Sequence, residues 1–350
     1  MAIRKKRARC RSIYPQHVSQ LDVARLAGVS QAAVSRVFTP GASVSEDTRA
    51  KVMAAVEILG YRPNVIARSL VSNSTYIIGL VVKRFTNPFY AKMIQDFTRT
   101  LQEHGYWTLV LNIAENEELE KTLLTALQYR VDGLIITSAT LSSHLAQECA
   151  RFGRPVVMFN RYATEGSAHV VCSDNALGGR LVADAFLDAG CRRIAFIAGE
   201  ESSSTNRDRE AGFVCRLHER GGTLSFRESA GDYSYELGYE AAARLLQNGE
   251  RPDAIFCAND LIAMATLDLA VHKLNIKVPE ELSIVGFDDI PPAGWPSYNL
   301  TTVRQPFGML VDTTINVLLD AISNPGMQPV QRVIPPRLIW RESCRKPIGP

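Results

Sequence analysis

Five places in this 350-residue chain set hydrogen-bonding side chains directly behind short apolar runs. Asn87, Phe89 and Tyr90 follow "IIGLVV", and Asn160 and Arg161 follow "VVMF". Asp174 and Asn175 follow "VVC", Asn259 and Asp260 follow "IFCA", and Asp288 and Asp289 follow "SIVGF". Arg209 stands just before "AGF", at the start of a predicted helix. Asp, Asn and Arg together supply fixed acceptors and donors, an inventory suited to the adjacent hydroxyls of a polyol. Phe89, Phe287 and Trp295 offer rings for its apolar face. Asn and Asp behind a strand also cap the following helix, and Asp174 and Asp260 fit that role equally well.

A second cluster lies in "LAGVSQAAVSRVF", residues 26–38. Ser30, Gln31, Ala32, Ser35 and Arg36 share the outer face of a short helix with little bulk. Compact leading side chains are what the DNA major groove admits. Gln31 suits bidentate contact with adenine, and Arg36 suits guanine or a phosphate. Catalysis has no comparable signal. The six histidines (His17, His104, His144, His169, His218 and His272) form no metal-spaced pair, and no G-x-S-x-G, P-loop or dinucleotide fingerprint is present. No catalytic residue, metal ligand or cofactor is expected.

The elements that must position these residues are of two kinds. Residues 18–60 read as three short helices. Ser19 and Asp22 form a capping box, Gly28 ends the first helix, Ser30 caps the second and Ser45 the third, and Gly60 stops the third. Val23, Ala24, Ala27, Val34, Val37, Phe38, Val52, Val56 and Leu59 form the expected core. Residues 61–75 contain Pro63 and end in a polar Ser/Asn/Thr run; Val65–Leu70 is too short to be a stable helix alone.

From Tyr76 onward, apolar runs alternate with amphipathic stretches. Strands are predicted at 76–82, 107–111, 133–137, 155–159, 193–198, 254–258, 282–287, 301–305 and 330–334. Helical stretches separate most of them, for example 89–104, 177–189, 233–247 and 261–274. Continuous apolar strands between helices mean parallel sheets covered on both faces. The length is too great for one sheet, so two similar lobes are expected. Ligands of such lobes bind at the carboxyl ends of the strands, where the five clusters fall.

Charge is divided along the chain. Residues 1–70 carry twelve Lys/Arg against four acids, a net +8, while the remainder is −5. A basic head on an acidic body points to a polyanion partner for the head alone. Residues 1–17 read as a basic flexible arm with no apolar run behind it, unlike a signal peptide. No segment approaches the length of a membrane span. Seven scattered cysteines with no C-x-x-C pair argue for reduced thiols and a cytoplasmic location.

Together these stretches resemble the LacI/GalR family of bacterial repressors. The resemblance rests on "LDVARLAGVS" (21–30), "AVSRVF" (33–38), "VSEDTRAKV" (44–52) and "LGYRPNVIARSL" (59–70). It continues through "IIGLVV" (77–82), "NPFY" (87–90), "DGLII" (132–136), "ANDLIA" (258–263), "VGFDDI" (285–290) and "LTTVRQP" (300–306). It covers nearly the whole chain and is highly specific.

The resemblance implies an N-terminal all-α helix-turn-helix headpiece (18–62) and a hinge linker helix (63–75). Behind them would stand an α/β periplasmic-binding-protein-like body of two doubly wound parallel-sheet lobes (76–345). Lobe one would be about 76–174 plus 306–335, and lobe two about 175–305 plus 336–345. The implied DNA contacts add Asn64, Ala67, Arg68 and Leu70, with Leu70 wedged into the minor groove. Arg209, Asn259 and Asp288 would hydrogen-bond an effector, with Asn175 as a fourth. The expected partners are pseudo-palindromic double-stranded operator DNA, a sugar or sugar acid, and a second copy of the chain. Competing readings are a regulator controlled mainly by a protein partner, a transport-type sugar-binding protein, and an enzyme with a DNA tether. The basic head disfavours the second, and the absent catalytic constellation the third.

Overall fold

In the computed structural model the chain divides into two compact units, Met1–Thr75 and Tyr76–Pro350. The described residues are 18–39, 41–62, 74–83, 87–113, 119–137, 149, 151–162, 168–247 and 249–347. The basic arm and the linker residues Asn64, Ala67, Arg68 and Leu70 lie outside them.

The first unit holds α1 (Gln20–Ala27), α2 (Gln31–Val37) and α3 (Glu46–Leu59). The expected caps are present. Ser19 and Asp22 close a capping box, Ser30 Oγ accepts from Ala33 N, and Ser45 Oγ accepts from Thr48 N. Gly28 and Gly60 end α1 and α3 with φ of 66° and 61°, a left-handed turn that costs glycine nothing. Val23, Ala24, Val34, Val37, Val52 and Ala55 form the core. Ala55 takes the central place expected of Val56 and Leu59, which pack at its edge with Phe38 and Ala27.

The second unit opens with β1 (Ile77–Val82), α4 (Pro88–Glu103), β2 (Trp107–Asn112), α5 (Leu119–Gln128), β3 (Gly133–Ile136), β4 (Val156–Phe159) and β5 (His169–Ser173). The chain then passes through α6 (Asn175–Asp188), β6 (Ile194–Ala198), α7 (Ser204–Glu219), β7 (Leu224–Ser229), α8 (Tyr235–Gln247) and β8 (Ala254–Cys257). It ends with α9 (Asp260–Asp268), β9 (Ser283–Asp288), β10 (Thr302–Arg304), α10 (Phe307–Ser323), β11 (Gln331–Ile334) and β12 (Arg337–Ile339). A single π-helical turn, Leu269–Lys273, extends α9 in place of the longer regular helix predicted from periodicity.

Two six-stranded sheets result, in the orders β11-β5-β4-β3-β1-β2 and β12-β10-β9-β8-β6-β7. Their common pattern confirms two similar lobes. In each, the first strand in sequence sits inside the sheet, creating a switch point beside its carboxyl end. The pairing departs from the all-parallel expectation at one edge, where β12 runs antiparallel to β10. β12 arrives from β11 in the other sheet across only Pro335 and Pro336.

Strands β5, β7 and β12 are absent from the predicted strands, although the apolar run "VVC" of β5 stands out in the sequence. β7, "LSFRES", is an edge strand of alternating burial with no apolar run, and β12 is only three residues long.

Candidate functional site

In the first unit, α2 keeps Val34 and Val37 inward and leaves Gln31, Ala32, Ser35 and Arg36 exposed. Ser30 is exposed too, with its hydroxyl oxygen committed to the cap. A slim, uncharged leading edge followed by one arginine is a shape and chemistry that a major groove accepts. Replacing Arg36 with Ala is expected to cost about 1–3 kcal/mol of operator binding and to relax preference at one base position. Competition binding against operators randomised one base at a time checks this; unchanged affinity and preference would refute the assignment.

The second unit brings ten residues to one cleft between its sheets. Asn87, Phe89, Tyr90, Asn160 and Arg161 come from the first lobe. Thr205, Arg209, Tyr233, Asn259 and Asp288 come from the second. Local capping explains several positions. Asn87 Oδ1 caps α4 by accepting from Phe89 N at 3.0 Å, and Asn259 Oδ1 caps α9 by accepting from Ile262 N at 3.0 Å. Each amide NH2 is thereby held at the mouth of the helix it starts.

Arg209 anchors the second-lobe wall. Its Nε donates to Asn175 Oδ1 (2.9 Å), Nη1 to the Ala258 carbonyl and Nη2 to Asp288 Oδ1 (3.2 Å). Its guanidinium lies 3.6 Å over the Phe287 ring. Asp288 Oδ1 also accepts from Gln305 Nε2 at 2.7 Å. Both of these bonds use Oδ1, so Oδ2 keeps its acceptor capacity at the cleft. Burial pushes the Asp288 carboxyl above its usual range, against the pull of Arg209 and Gln305.

Seven of the ten effector residues expected from sequence therefore line the cleft. Asn175 stands behind it as an orienting partner of Arg209. Phe287 and Trp295 do not supply stacking faces. Phe287 is fully buried, packed between Arg209 and Gly178, where a Cβ would collide with its ring. Successive strand residues point to opposite faces, so Phe287 cannot accompany Asp288. Trp295 is 56% exposed after a 3₁₀ turn (Pro291–Gly294) and does not line the cleft.

Thr205 and Tyr233 were missed. Tyr233 follows the unrecognised strand β7. Thr205 belongs to the first turn of α7, which begins at Ser204, so Arg209 lies within the helix rather than at its start. Tyr233 Oη bonds Ser203 Oγ (2.7 Å) and Thr205 Oγ1 (3.1 Å), fixing both residues. Asp174 is a cap only, accepting from Leu177 N at 2.8 Å.

Asp260 neither caps nor lines the cleft. It is fully buried and accepts from Ile290 N and Thr302 Oγ1. Burial, then the neighbouring Asp288 charge, raise its carboxyl well above the usual range. A raised folded-state value favours folding below the unfolded value of about 4, and that contribution is lost as pH rises through the folded value. Asp260→Asn is therefore expected to stabilise the protein at neutral pH, with the gain shrinking toward about pH 4. Urea denaturation across that range checks it; a neutral-pH loss would contradict it.

The cleft is narrow, with about 20 Å³ of space, room for about one water. A larger hollow of about 440 Å³ shares Phe89 and Asp288 with it and continues past Lys92, Ile290 and Met309. Among the described residues no group of His, Cys, Asp or Glu could hold a metal, and no helix is long and apolar enough to cross a membrane.

A capped helix-turn-helix and a two-lobed body with a polar cleft at its strand ends define a class: DNA-binding regulators carrying a small-molecule module. Residues 21–64 match the bacterial regulatory proteins of the lacI family, and residues 183–344 match the periplasmic binding protein-like domain. The chain is similar to the ribose operon repressor of Escherichia coli K12, 33% identical over 326 residues, covering 92% of this chain and 98% of that protein. It is also similar to the lac repressor dimer bound to operator and the anti-inducer ONPF, with 26% identity and a TM-score of 0.84. That likeness covers 94% of this chain and 99% of that one. The transcriptional regulator CelR in complex with cellobiose is 30% identical, with a TM-score of 0.69, over 93% of this chain and 99% of that one. The chain belongs to the LacI family of bacterial transcriptional regulators.

Proposed function

We propose that this protein is a homodimeric, cytoplasmic repressor whose grip on a pseudo-palindromic operator is set by a small carbohydrate bound between its lobes. One observation carries the effector reading. Five residues from each lobe meet at the strand ends, with the Arg209–Asp288 pair at their centre and Asp288 Oδ2 kept for a hydroxyl. The names of the relatives, a ribose operon repressor and a regulator complexed with cellobiose, agree with that chemistry.

α2 reads the operator through Gln31, Ala32 and Arg36, with Ser30 and Ser35 at its flank. Residues 63–75 act as the hinge, their Asn64, Ala67, Arg68 and Leu70 taking helical form on DNA. Because the cleft draws on both lobes, a ligand changes the angle between them. The two hinges of the dimer support each other only when adjacent, so a shift at Tyr76 weakens or strengthens both headpieces together. A half-site is short, and a twofold dimer is needed to read two of them.

The test is a thermal-shift screen against sugars and sugar acids. A ligand at a hundred times its dissociation constant stabilises the folded state by roughly 2.7 kcal/mol, which raises the melting temperature by several degrees. A complete absence of shifts would remove the carbohydrate reading. Residues 1–75 alone are expected to bind operator far more weakly than the full chain, and sedimentation is expected to show a dimer. A monomer with full operator affinity would contradict the assembly.

A further inference from the structure

The two buried arginines of the cleft are used differently. Arg209 is fully engaged, with Asn175, the Ala258 carbonyl, Asp288 and the Phe287 ring around it. Arg161, on the loop after β4, is only 5% exposed and also lines the cleft. Its planar fork carries five N–H donors. Among the described residues only one partner takes any of them, Glu200 Oε2 at 3.0 Å from Nη2. Beside it, Asn160 Oδ1 is a buried acceptor with no partner among the described residues. The remaining donors keep access to the cleft, and a carboxylate matches a guanidinium fork with two parallel bonds.

We propose that the effector is a sugar acid, whose carboxylate seats on the Arg161 guanidinium in place of Glu200. This rests on the reading of the cleft as a carbohydrate site and names the class of carbohydrate. The charge count favours a monoanion. Arg209 is matched by Asp288 and Arg161 by Glu200, so exchanging the Glu200 carboxylate for the ligand's leaves the cleft balanced. A phosphate dianion would add a second negative charge where Asp208 and Asp288 are already pushed toward protonation by burial.

The exchange also bears on how so narrow a cleft widens. Arg161 belongs to the first lobe and Glu200, just past β6, to the second. Next to that pair, Tyr162 Oη donates to Asp208 Oδ1 at 2.8 Å and Tyr162 N to Ser204 Oγ at 3.3 Å, again from the first lobe to the second. These three contacts close one edge of the cleft. A ligand carboxylate that takes Arg161 from Glu200 removes the ionic one, releasing a glutamate whose side chain is already 21% exposed. The ligand thus loosens the edge it must pass.

Calorimetry on the full-length protein tests this with matched probes: D-glucuronate, D-galacturonate and D-gluconate against D-glucose and D-galactose, with D-glucose 6-phosphate as the dianion. At least one acid is expected to bind about thirtyfold or more tightly than its neutral counterpart. Arg161→Met is expected to erase that preference, and Arg161→Lys to keep part of it, which separates loss of charge from loss of fold. Glu200→Gln removes the competing carboxylate and is expected to tighten acid binding roughly fivefold or more, and neutral sugars by clearly less. A neutral sugar that binds as tightly as the acids and ignores Arg161→Met would overturn the inference while leaving the carbohydrate reading in place. Preference for the sugar phosphate over every carboxylate would overturn it too. Binding of none of the probes would defeat the carbohydrate reading itself, and this inference with it.

Discussion

Asp288→Asn is expected to weaken binding of the cleft ligand about a hundredfold or more while leaving operator affinity of the unliganded protein within about twofold. The substitution conserves shape but removes the charge that faces Arg209. In the native chain Oδ1 takes two donors, Arg209 Nη2 and Gln305 Nε2, and Oδ2 is the acceptor proposed to meet the ligand. In the asparagine variant one of the two positions becomes an NH2. Either it faces the donors of Arg209 and Gln305, or it replaces the acceptor that a sugar hydroxyl needs. Both arrangements lose a charge-assisted bond in a buried site. The headpiece has its own core of Val23, Val34, Val37 and Val52, so the change leaves the packing of the DNA-reading unit intact. Ligand titration by calorimetry and operator titration by fluorescence anisotropy give the two numbers. A variant that binds ligand normally would refute the cleft as described.

Gly212→Val is expected to destabilise the second unit by about 3 kcal/mol or more, the largest stability effect of any single change considered. α6 and α7 cross at a contact made by two glycines, one from each helix. A Cβ on Gly212 would stand inside the backbone of Ala176, and one on Gly179 inside the carbonyl of Arg209 and the amide of Phe213. Backbone atoms cannot swing aside as a long side chain can, so the helices must separate. Separation would uncover Phe213 and Phe186, whose rings meet edge to face at 6.0 Å. It would also carry Arg209 away from Asp288, so ligand affinity should fall with stability. Gly179→Val should behave alike. The midpoint of urea denaturation measures the effect, and a midpoint equal to that of the native chain would contradict the packing argument.

Much of this architecture is readable from residue types because it rests on local chemistry. Ser19, Ser30 and Ser45 announce helix starts through hydroxyls that satisfy amides, and Gly28 and Gly60 announce ends through left-handed backbone. Buried parallel strands announce themselves as unbroken apolar runs. Asn87, Arg161, Asn259 and Asp288 could be named because polar residues behind such runs fall at the strand ends. The failures have the same logic reversed. Tyr233 was lost with β7, whose alternating "LSFRES" carries no apolar run. Thr205 was lost because the helix was expected to start at Arg209, whereas Ser203 caps it more than one turn earlier. Phe287 and Trp295 were chosen for being aromatic, a property that does not tell which way a ring faces. Gln305 lies beyond the last strand-end cluster and becomes meaningful only once Asp288 is found beside it.

The central claim is that occupancy of the cleft sets the affinity for DNA. It is tested by titrating the full-length protein onto an operator selected from random DNA, with and without a saturating ligand whose binding Asp288→Asn abolishes. The account predicts that operator affinity changes by roughly 5- to 150-fold, and that operator DNA changes ligand affinity by the same factor, as linkage requires. Operator affinity that stays the same while calorimetry shows the cleft filled would contradict it.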